Sequence, residues 1–345
     1  MKRTPLASVP AWNAYAAVGN LPAPIINEPA LPLVSIVTPS FNQGRFIAAT
    51  VRSVLQQDYP NIEYWLIDGG SSDETFDVLA QFAGDARLHV IREPDRGQAD
   101  AINKGWARCH GDVLAWLNSD DELLPAAIRT QVAALNANPA AAAVYADALY
   151  TDPAGKPIRP LYGRPYHPLT LLRLEIPAQP TVFLRREAVA MLGPLDITRR
   201  YSMDSDYWAR LARHAPMAQT QALVATYRLH GMSKTVRSPA GFYDEWLAIA
   251  QRFFAAPGLP DALRDARAAV LADIYAAMAN LEAQAGRFGN TLRYLAYGLS
   301  LAGLRPRMLK LPLTLLDRLL PLGLAGRAGT LWGSIRRRRK TAWDS

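Results

Sequence analysis

At 345 residues the chain can hold one large domain with appendages or two ordinary ones; half of it is hydrophobic and a fifth charged, which excludes a disordered chain, a collagen and a disulfide-stapled miniprotein. Its whole net charge of +8 falls within residues 305–345, where ten Lys/Arg face only Asp317 and Asp344, so the rest is neutral and a nucleic-acid binder with a basic face is excluded. The single cysteine, Cys109, permits neither an intrachain disulfide nor a Cys-built zinc site, and a reducing cytoplasm is the default compartment.

Residues 1–32 hold six prolines without hydrophobic periodicity and read as an irregular arm; the start lacks the apolar segment of a signal peptide, and no run of 18 apolar residues occurs anywhere. From Leu33 the pattern alternates: a strand from Val34, a helix over 45–57, a strand over 62–68, a helix that Ser72 can cap, a strand over 88–92, a helix over 99–107 and a strand over 112–117. Such alternation builds an open parallel sheet with helices on both faces and ligands at the carboxyl ends of the strands. Beyond Leu124 come a helix over 125–136, a strand over 142–145, a Pro-rich loop over 153–168, a strand from Thr181 and helices over 186–192 and 204–214. An Ala-rich helical stretch over 242–303 ends in a pair, 262–285 and 288–303, broken at Gly286 like one tetratricopeptide hairpin. The expected domains are 33–240, with a nucleotide-binding half over 33–122 and an acceptor half over 123–240, then a C-terminal helical appendage over 241–304 and a basic amphipathic tail over 305–345.

Two strand-end loops carry clustered carboxylates. Trp116-Leu-Asn-Ser-Asp120-Asp121 ends a buried strand on adjacent acids, and Asn118 and Asp120, two apart, offer hard oxygens suited to Mg2+ or Mn2+; the competing reading makes them caps of a following helix. Asp68-Gly-Gly-Ser-Ser-Asp-Glu-Thr75 enters a turn whose glycines admit a flat ligand while Asp68 accepts a base N–H, or it is an ordinary strand-to-helix turn with capping serines.

Together with Thr38-Pro-Ser-Phe-Asn and Asp95-Arg-Gly-Gln-Ala-Asp-Ala-Ile-Asn-Lys-Gly105, these two motifs resemble, in order and spacing, the family 2 glycosyltransferases of GT-A fold, over about residues 33–235. The resemblance implies a nucleotide-diphospho-sugar transferase-like α/β fold with a mostly parallel sheet. It implies inverting transfer of a sugar from a nucleotide-diphosphate donor to a glycan or lipid-linked acceptor, with Mg2+ or Mn2+. Carried across residue by residue, Thr38, Pro39, Phe41 and Asp68 hold the base and ribose, and Arg92 and the 97–105 segment, with Gly97 and Asn103, line the nucleotide pocket. Asn118-Ser119-Asp120 stands at the family's Asp-x-Asp motif with Asn118 replacing the first carboxylate, which leaves the metal mainly to Asp120 with Asp121 close by. Ser202-Met-Asp-Ser-Asp206 matches the segment where an acid pair opens a helix beside the acceptor. Asp204 stands at the base position and Met203 where a glutamate is common, while Asp206 reads as helix N-terminal charge or an acceptor-side contact. Tyr227-Arg-Leu-His230-Gly-Met-Ser-Lys234 lies where some relatives close a loop over the diphosphate, with His230 as a metal ligand or a structural histidine and Arg228 or Lys234 on phosphate. Gln179 either binds an acceptor hydroxyl or makes no contact.

Two rivals remain. A sugar-phosphate nucleotidyltransferase would want a Gly- and Arg-rich first loop, and the 38–44 loop holds one glycine; a non-catalytic nucleotide-sugar or glycan binder is suggested by Asn118 and Met203 at usually acidic positions. The tail, with Trp332 beside Arg336 to Lys340, suits a peripheral anchor on anionic lipid at the inner face of the cytoplasmic membrane, or else an amphipathic helix that packs on the domain. Surface-polysaccharide assembly in a bacterium is the setting the resemblance and the tail imply.

Overall fold

The computed structural model describes residues 31–173, 175–234 and 239–303, the last without the side chains of Pro239 and Ala240; the basic tail lies outside the described residues, as does the arm up to residue 30. The chain divides into two compact units, whose described parts are 31–234 and 239–303.

The first unit opens with the expected alternation: β1 (Val34–Ser40), α1 (Gly44–Leu55), β2 (Ile62–Asp68), α2 (Thr75–Leu79), β3 (Leu88–Arg92), α3 (Gln98–Trp106) and β4 (Val113–Trp116). β2, β1 and β4 lie side by side in parallel with β3 outside β2, and the wholly buried β1 is the centre of this half. Strands covered on both faces must read as continuous apolar runs, and Val34, Ile36, Tyr64 and Leu66 are at most 1% exposed. On one face α1 buries Ile47, Val51 and Val54, whose spacing of four and three makes one stripe on a helix. Burying each such side chain contributes roughly 1.5–3 kcal/mol. α3 lies on β1 so closely that a Cβ on Gly105 would stand 2.4 Å from Val37 Cγ1.

Then come β5 (Glu122–Leu123), α4 (Ala127–Ala137), β6 (Ala143–Thr151), β7 (Pro157–Leu161), α5 (Pro168–Leu172), β8 (Phe183–Arg185), α6 (Arg186–Leu192), α7 (Met203–Leu211) and β9 (Met217–Arg228). The order β3-β2-β1-β4-β8-β6-β9-β5, with β7 beside β6, makes one sheet: parallel through β4, mixed beyond it.

Three local expectations are corrected. Ser72 does not cap α2: its N–H donates to Asn42 Oδ1, and the helix starts at Thr75, whose N–H and hydroxyl both reach Asp73 Oδ1. Asn118 and Asp120 cap no helix, because β5 follows them. The Pro-rich loop contains β7, an edge strand whose Pro157 and Pro160 are tolerated there because no further strand needs their missing N–H.

The second unit is helical: α8 (Pro239–Ala255), α9 (Asp261–Arg264), α10 (Arg267–Gln284) and α11 (Phe288–Ala302). Ala272, Ala276, Ala279 and Ala283 line one side of α10 and let α11 approach through Tyr294 and Leu295. The turn between them rests on Gly286 at φ +75° and on Glu282, which accepts from Arg287 Nε at 2.6 Å and Asn290 Nδ2 at 2.8 Å. Among the described residues no helix is long and apolar enough to cross a membrane.

Candidate active site

The carboxyl ends of β1, β2 and β4 converge, as the connections of a parallel sheet require. β1 continues through Ser40, so Thr38 and Pro39 are buried strand residues and the Thr38 hydroxyl lies 2.9 Å from that of Tyr64. Phe41, the next residue after the strand, is 59% exposed and is the side chain of this trio free to meet a ligand. Asp68 corrects its expected role. It is fully buried, and its two oxygens accept from Gly70 N, Ser71 N, Ser40 Oγ and Ser71 Oγ at 2.6–2.9 Å. Four donors use its lone pairs, so Asp68 shapes the turn and leaves no acceptor for a base. Asp95 comes to that turn instead: its carboxylate lies over Gly69, where a Cβ would be 2.5 Å from Oδ2, and its Oδ1 accepts from Gly97 N. Burial pushes the Asp95 carboxyl upward, and the neighbouring Asp100 and Asp68 add to the effect against the Gly97 N–H and Lys104. No motif reading singled Asp95 out for a ligand; its signal was only its place two residues before the glycine that starts α3.

Arg92 Nη2 donates to Ser71 O at 2.9 Å and its guanidinium lies 4.4 Å from the Phe76 ring centroid, so it braces the same turn. Gly97, at φ +118°, takes a conformation open to glycine and starts α3 by accepting from Asp100 N and Ala101 N. Asn103 is corrected: its amide grips Leu195 N and O at 2.8 and 2.9 Å and thereby positions the segment leading to α7.

The acidic loop after β4 is held from below. The Thr50 hydroxyl lies 3.0 and 2.8 Å from the carbonyls of Ser119 and Asp121. Asp121 is 2% exposed and accepts from Arg228 N at 2.9 Å and Asn118 Nδ2 at 3.3 Å. Burial, then the adjacent Asp120, drive its carboxyl well above the usual range. Held in this way, it supports the loop. Arg228 is likewise a clamp rather than a phosphate ligand: buried, it donates to Asp120 O at 2.8 Å and Pro153 O at 3.3 Å and pairs with Glu122. β9 pairs with β5 and so delivers the residues after Arg228 to this loop. His230, 7% exposed, places Nε2 at 2.8 Å from Asp120 Oδ2 and packs tilted against Phe46 at 4.6 Å between centroids. Asp120 is thus the carboxylate of the loop that is paired yet reachable, its side chain 21% exposed.

Asn118 Oδ1 accepts from Gln98 Nε2 at 2.6 Å, and Gln98 Oε1 accepts from Lys234 Nζ at 2.9 Å. The positive charge of Lys234 also acts on Asp204, which ties the first turn of α7 to the acidic loop. Asp204 Oδ1 accepts from Ser205 N at 2.7 Å and Oγ at 3.2 Å, while Oδ2 has no partner among the described residues. Burial raises its carboxyl above the usual range despite those donors. Asp206 is different: wholly buried and bound by Arg210 Nε at 3.1 Å, it anchors the helix. Gln179 is also corrected, being 5% exposed with Nε2 on Trp116 O at 2.8 Å beneath the end of β4.

Whether this set fits a divalent cation can be tested on its donors. Among the described residues no three His, Cys, Asp or Glu side chains form a ready cage. Asp120 Oδ2 and His230 Nε2 nonetheless stand side by side, 2.8 Å apart. One carboxylate suits an ion that takes its other ligands from water and a diphosphate, as Mg2+ commonly does, and the imidazole adds a nitrogen donor of the kind transition metals accept. The residues fit.

Residues 35–186 match the family model described as Glycosyl transferase family 2. A teichuronic acid biosynthesis glycosyltransferase of Bacillus subtilis is 44% identical over 93 residues, 26% of this chain, and the match spans only 37% of that relative's length. A PGL/p-HBAD biosynthesis glycosyltransferase of Mycobacterium bovis is 29% identical over 212 residues, 60% of this chain and 81% of its own. In fold the chain is similar to a mannosyltransferase of Pyrobaculum calidifontis in complex with GDP-Man and Mn2+ (TM-score 0.55, 18% identity, 90% of this chain and 94% of that one). It is also similar to S. aureus TarS 1-349 in complex with UDP-GlcNAc (TM-score 0.55, 13% identity, 76% and 90%). Residues 35–186 thus match the family 2 glycosyltransferases, on a sheet similar in fold to those of the two solved transferases.

Proposed function

We propose that the chain is a metal-dependent, inverting glycosyltransferase that moves a sugar from a nucleotide-diphosphate sugar to a glycan or lipid-linked acceptor in surface polysaccharide or glycolipid assembly. The observation that carries this reading is the closure of His230 on Asp120 at the end of β4, with Asp204 facing the same loop across Lys234 and Gln98. The relatives named for teichuronic acid and glycolipid synthesis support the setting.

In this reading Asp120 and His230 hold Mg2+ or Mn2+, which when bound supplies positive charge to the departing diphosphate. Lys234 adds a cation beside Gln98 and Asn118. Phe41 offers a face to the base, and Asp95 rather than Asp68 offers it a carboxylate oxygen. Asp204 takes the acceptor's hydroxyl proton on Oδ2 while that oxygen attacks the anomeric carbon from the side opposite the diphosphate, which inverts the centre. A raised carboxyl pKa suits a base that must accept a proton near neutral pH. A single displacement needs no second carboxylate as nucleophile, and the buried, paired Asp206 supplies none.

A thermal-shift panel of UDP-, GDP-, dTDP- and CMP-sugars, with and without Mn2+, tests the donor site on wild type and Asp120→Ala. Stabilisation by one nucleotide class that needs Mn2+ and vanishes in the variant is expected, since a ligand of the native state stabilises by mass action. Absence of any shift would favour the non-catalytic reading.

A further inference from the structure

Beside the Asn118–Gln98–Lys234 chain lies a cavity of about 310 Å³ that shares Lys234 with the donor reading and extends from it to Arg199 and Arg200. Arg96, Arg199, Arg200 and Lys234 line it with Gln98 and Tyr201, and no carboxylate is among its lining residues that the structure describes. Two of these cations are paired: Arg96 with Asp100 at 3.0 Å, which Lys104 also reaches at 3.6 Å, and Arg199 with Asp196 at 3.5 Å. The walls also include Gly97, Gln98 and Ala99, so the positive end of α3 opens into the same space. Four cationic side chains, two of them shared with Asp100 and Asp196, and a helix N-terminus around one concave space favour an anion there, and guanidinium groups match the planar or tetrahedral oxygens of carboxylate and phosphate.

Position decides what the anion belongs to. Gln98 separates the cavity from Asn118 and the acidic loop, where Asp120, His230 and Lys234 already answer the charge of a diphosphate. The opposite wall, Arg199 to Tyr201, runs directly into Ser202 and the Asp204 turn of α7. A group bound between Arg199 and Arg200 therefore stands next to the base and on the acceptor's side. We infer that this cavity is an acceptor subsite that binds an oxyanion, so that the acceptor carries a phosphate or a carboxylate close to the hydroxyl that is glycosylated. The inference rests on the transferase reading, because it takes Asp204 as the base.

Calorimetric titration of the full-length chain with inorganic phosphate, D-glucuronate and neutral D-glucose, at constant ionic strength, tests it. The titrations are repeated with Mg2+ and whichever of UDP or GDP the protein binds. Phosphate or glucuronate is expected to bind where glucose does not, and to bind equally well with the nucleotide present. Arg199→Gln and the more exposed Arg200→Gln should each weaken that anion by roughly tenfold and leave nucleotide affinity unchanged. The preferred anion identifies the source, phosphate for a phosphorylated or phospholipid-linked acceptor and glucuronate for an acidic sugar. Competition between nucleotide and anion would assign the cavity to the donor's diphosphate and overturn the inference. Anion binding unchanged in both folded variants, or absent in wild type, would overturn it as well. Failure to bind any nucleotide with metal would instead count against the donor site, which these anion arms do not involve.

Discussion

His230 Nε2 lies 2.8 Å from Asp120 Oδ2, across 110 residues of chain, and this contact closes the acidic loop at the end of β4. Asp120→Ala is expected to lower turnover by roughly 10²–10³-fold, the scale of losing one electrostatic element of a transition-state site. His230→Gln should weaken the metal by roughly 10–100-fold. The two should be non-additive in a double-mutant cycle, because they share one partner. Activity removed by EDTA and restored by Mn2+ or Mg2+ checks the metal, and turnover unaffected by EDTA would sink it.

Asp204→Asn should cost roughly 10²–10⁴-fold in kcat with donor affinity intact, the range for a general base. Wild type should show an acid limb in kcat/KM with a midpoint above the usual aspartate value near 4, because burial raises this carboxyl. The stability sign runs the other way: a raised carboxyl contributes stability below the unfolded pKa and loses it as pH rises through the folded one. At neutral pH Asp204→Asn should therefore melt no lower than wild type. A melting temperature that fell along with activity would indicate a structural role.

Gly105→Ala should destabilise by about 1–3 kcal/mol, since the new methyl would overlap Val37 Cγ1 at 2.4 Å and Cγ2 at 2.8 Å where α3 meets β1. Combination with Val37→Ala makes room for it, so urea titrations of the single and double variants should show favourable coupling. Additive losses would mean that the helix shifts rather than clashes.

In the helical unit, hydrogen bonds from Arg287 hold the Glu282 carboxyl down to about 2, with Asn290 adding to them against the cost of burial. A depressed carboxylate contributes stability that is complete above the unfolded value of about 4.3 and is lost as pH falls through the folded one. Glu282→Gln should thus lower the thermal midpoint at pH 7, and the gap between variant and wild type should close between pH 4 and pH 2. A gap independent of pH would contradict the pairing.

The β-α alternation from Val34 to Trp116 was legible because fully buried parallel strands must be apolar runs and their connections must be amphipathic helices. Of the later strands, β7 and β9 were not. β9 alternates Gln and Thr with small apolar residues, and its full length is specified by pairing with β6 and β5 rather than by its own pattern. β7 is an edge strand with two prolines, which reads as loop in any window taken alone.

The same division runs through the site. The motifs located the strand ends, though Thr38 to Ser40 belong to β1 and Gln98 to Gly105 to α3; there His230 meets Asp120, and Lys234 reaches Asn118 through Gln98. Residue type alone could not say which polar groups are consumed internally: Asp68, Asn103, Asp121, Gln179, Asp206 and Arg228 are each held by protein partners once the chain folds. By itself the sequence determined the parallel half-sheet, its strand-end loops and their chemistry, because periodicity and turn residues are local properties. Tertiary structure alone decided which carboxylates stay reachable and which cations share a cavity, because burial and hydrogen-bond saturation depend on segments more than 100 residues apart, as Asp120 and His230 are.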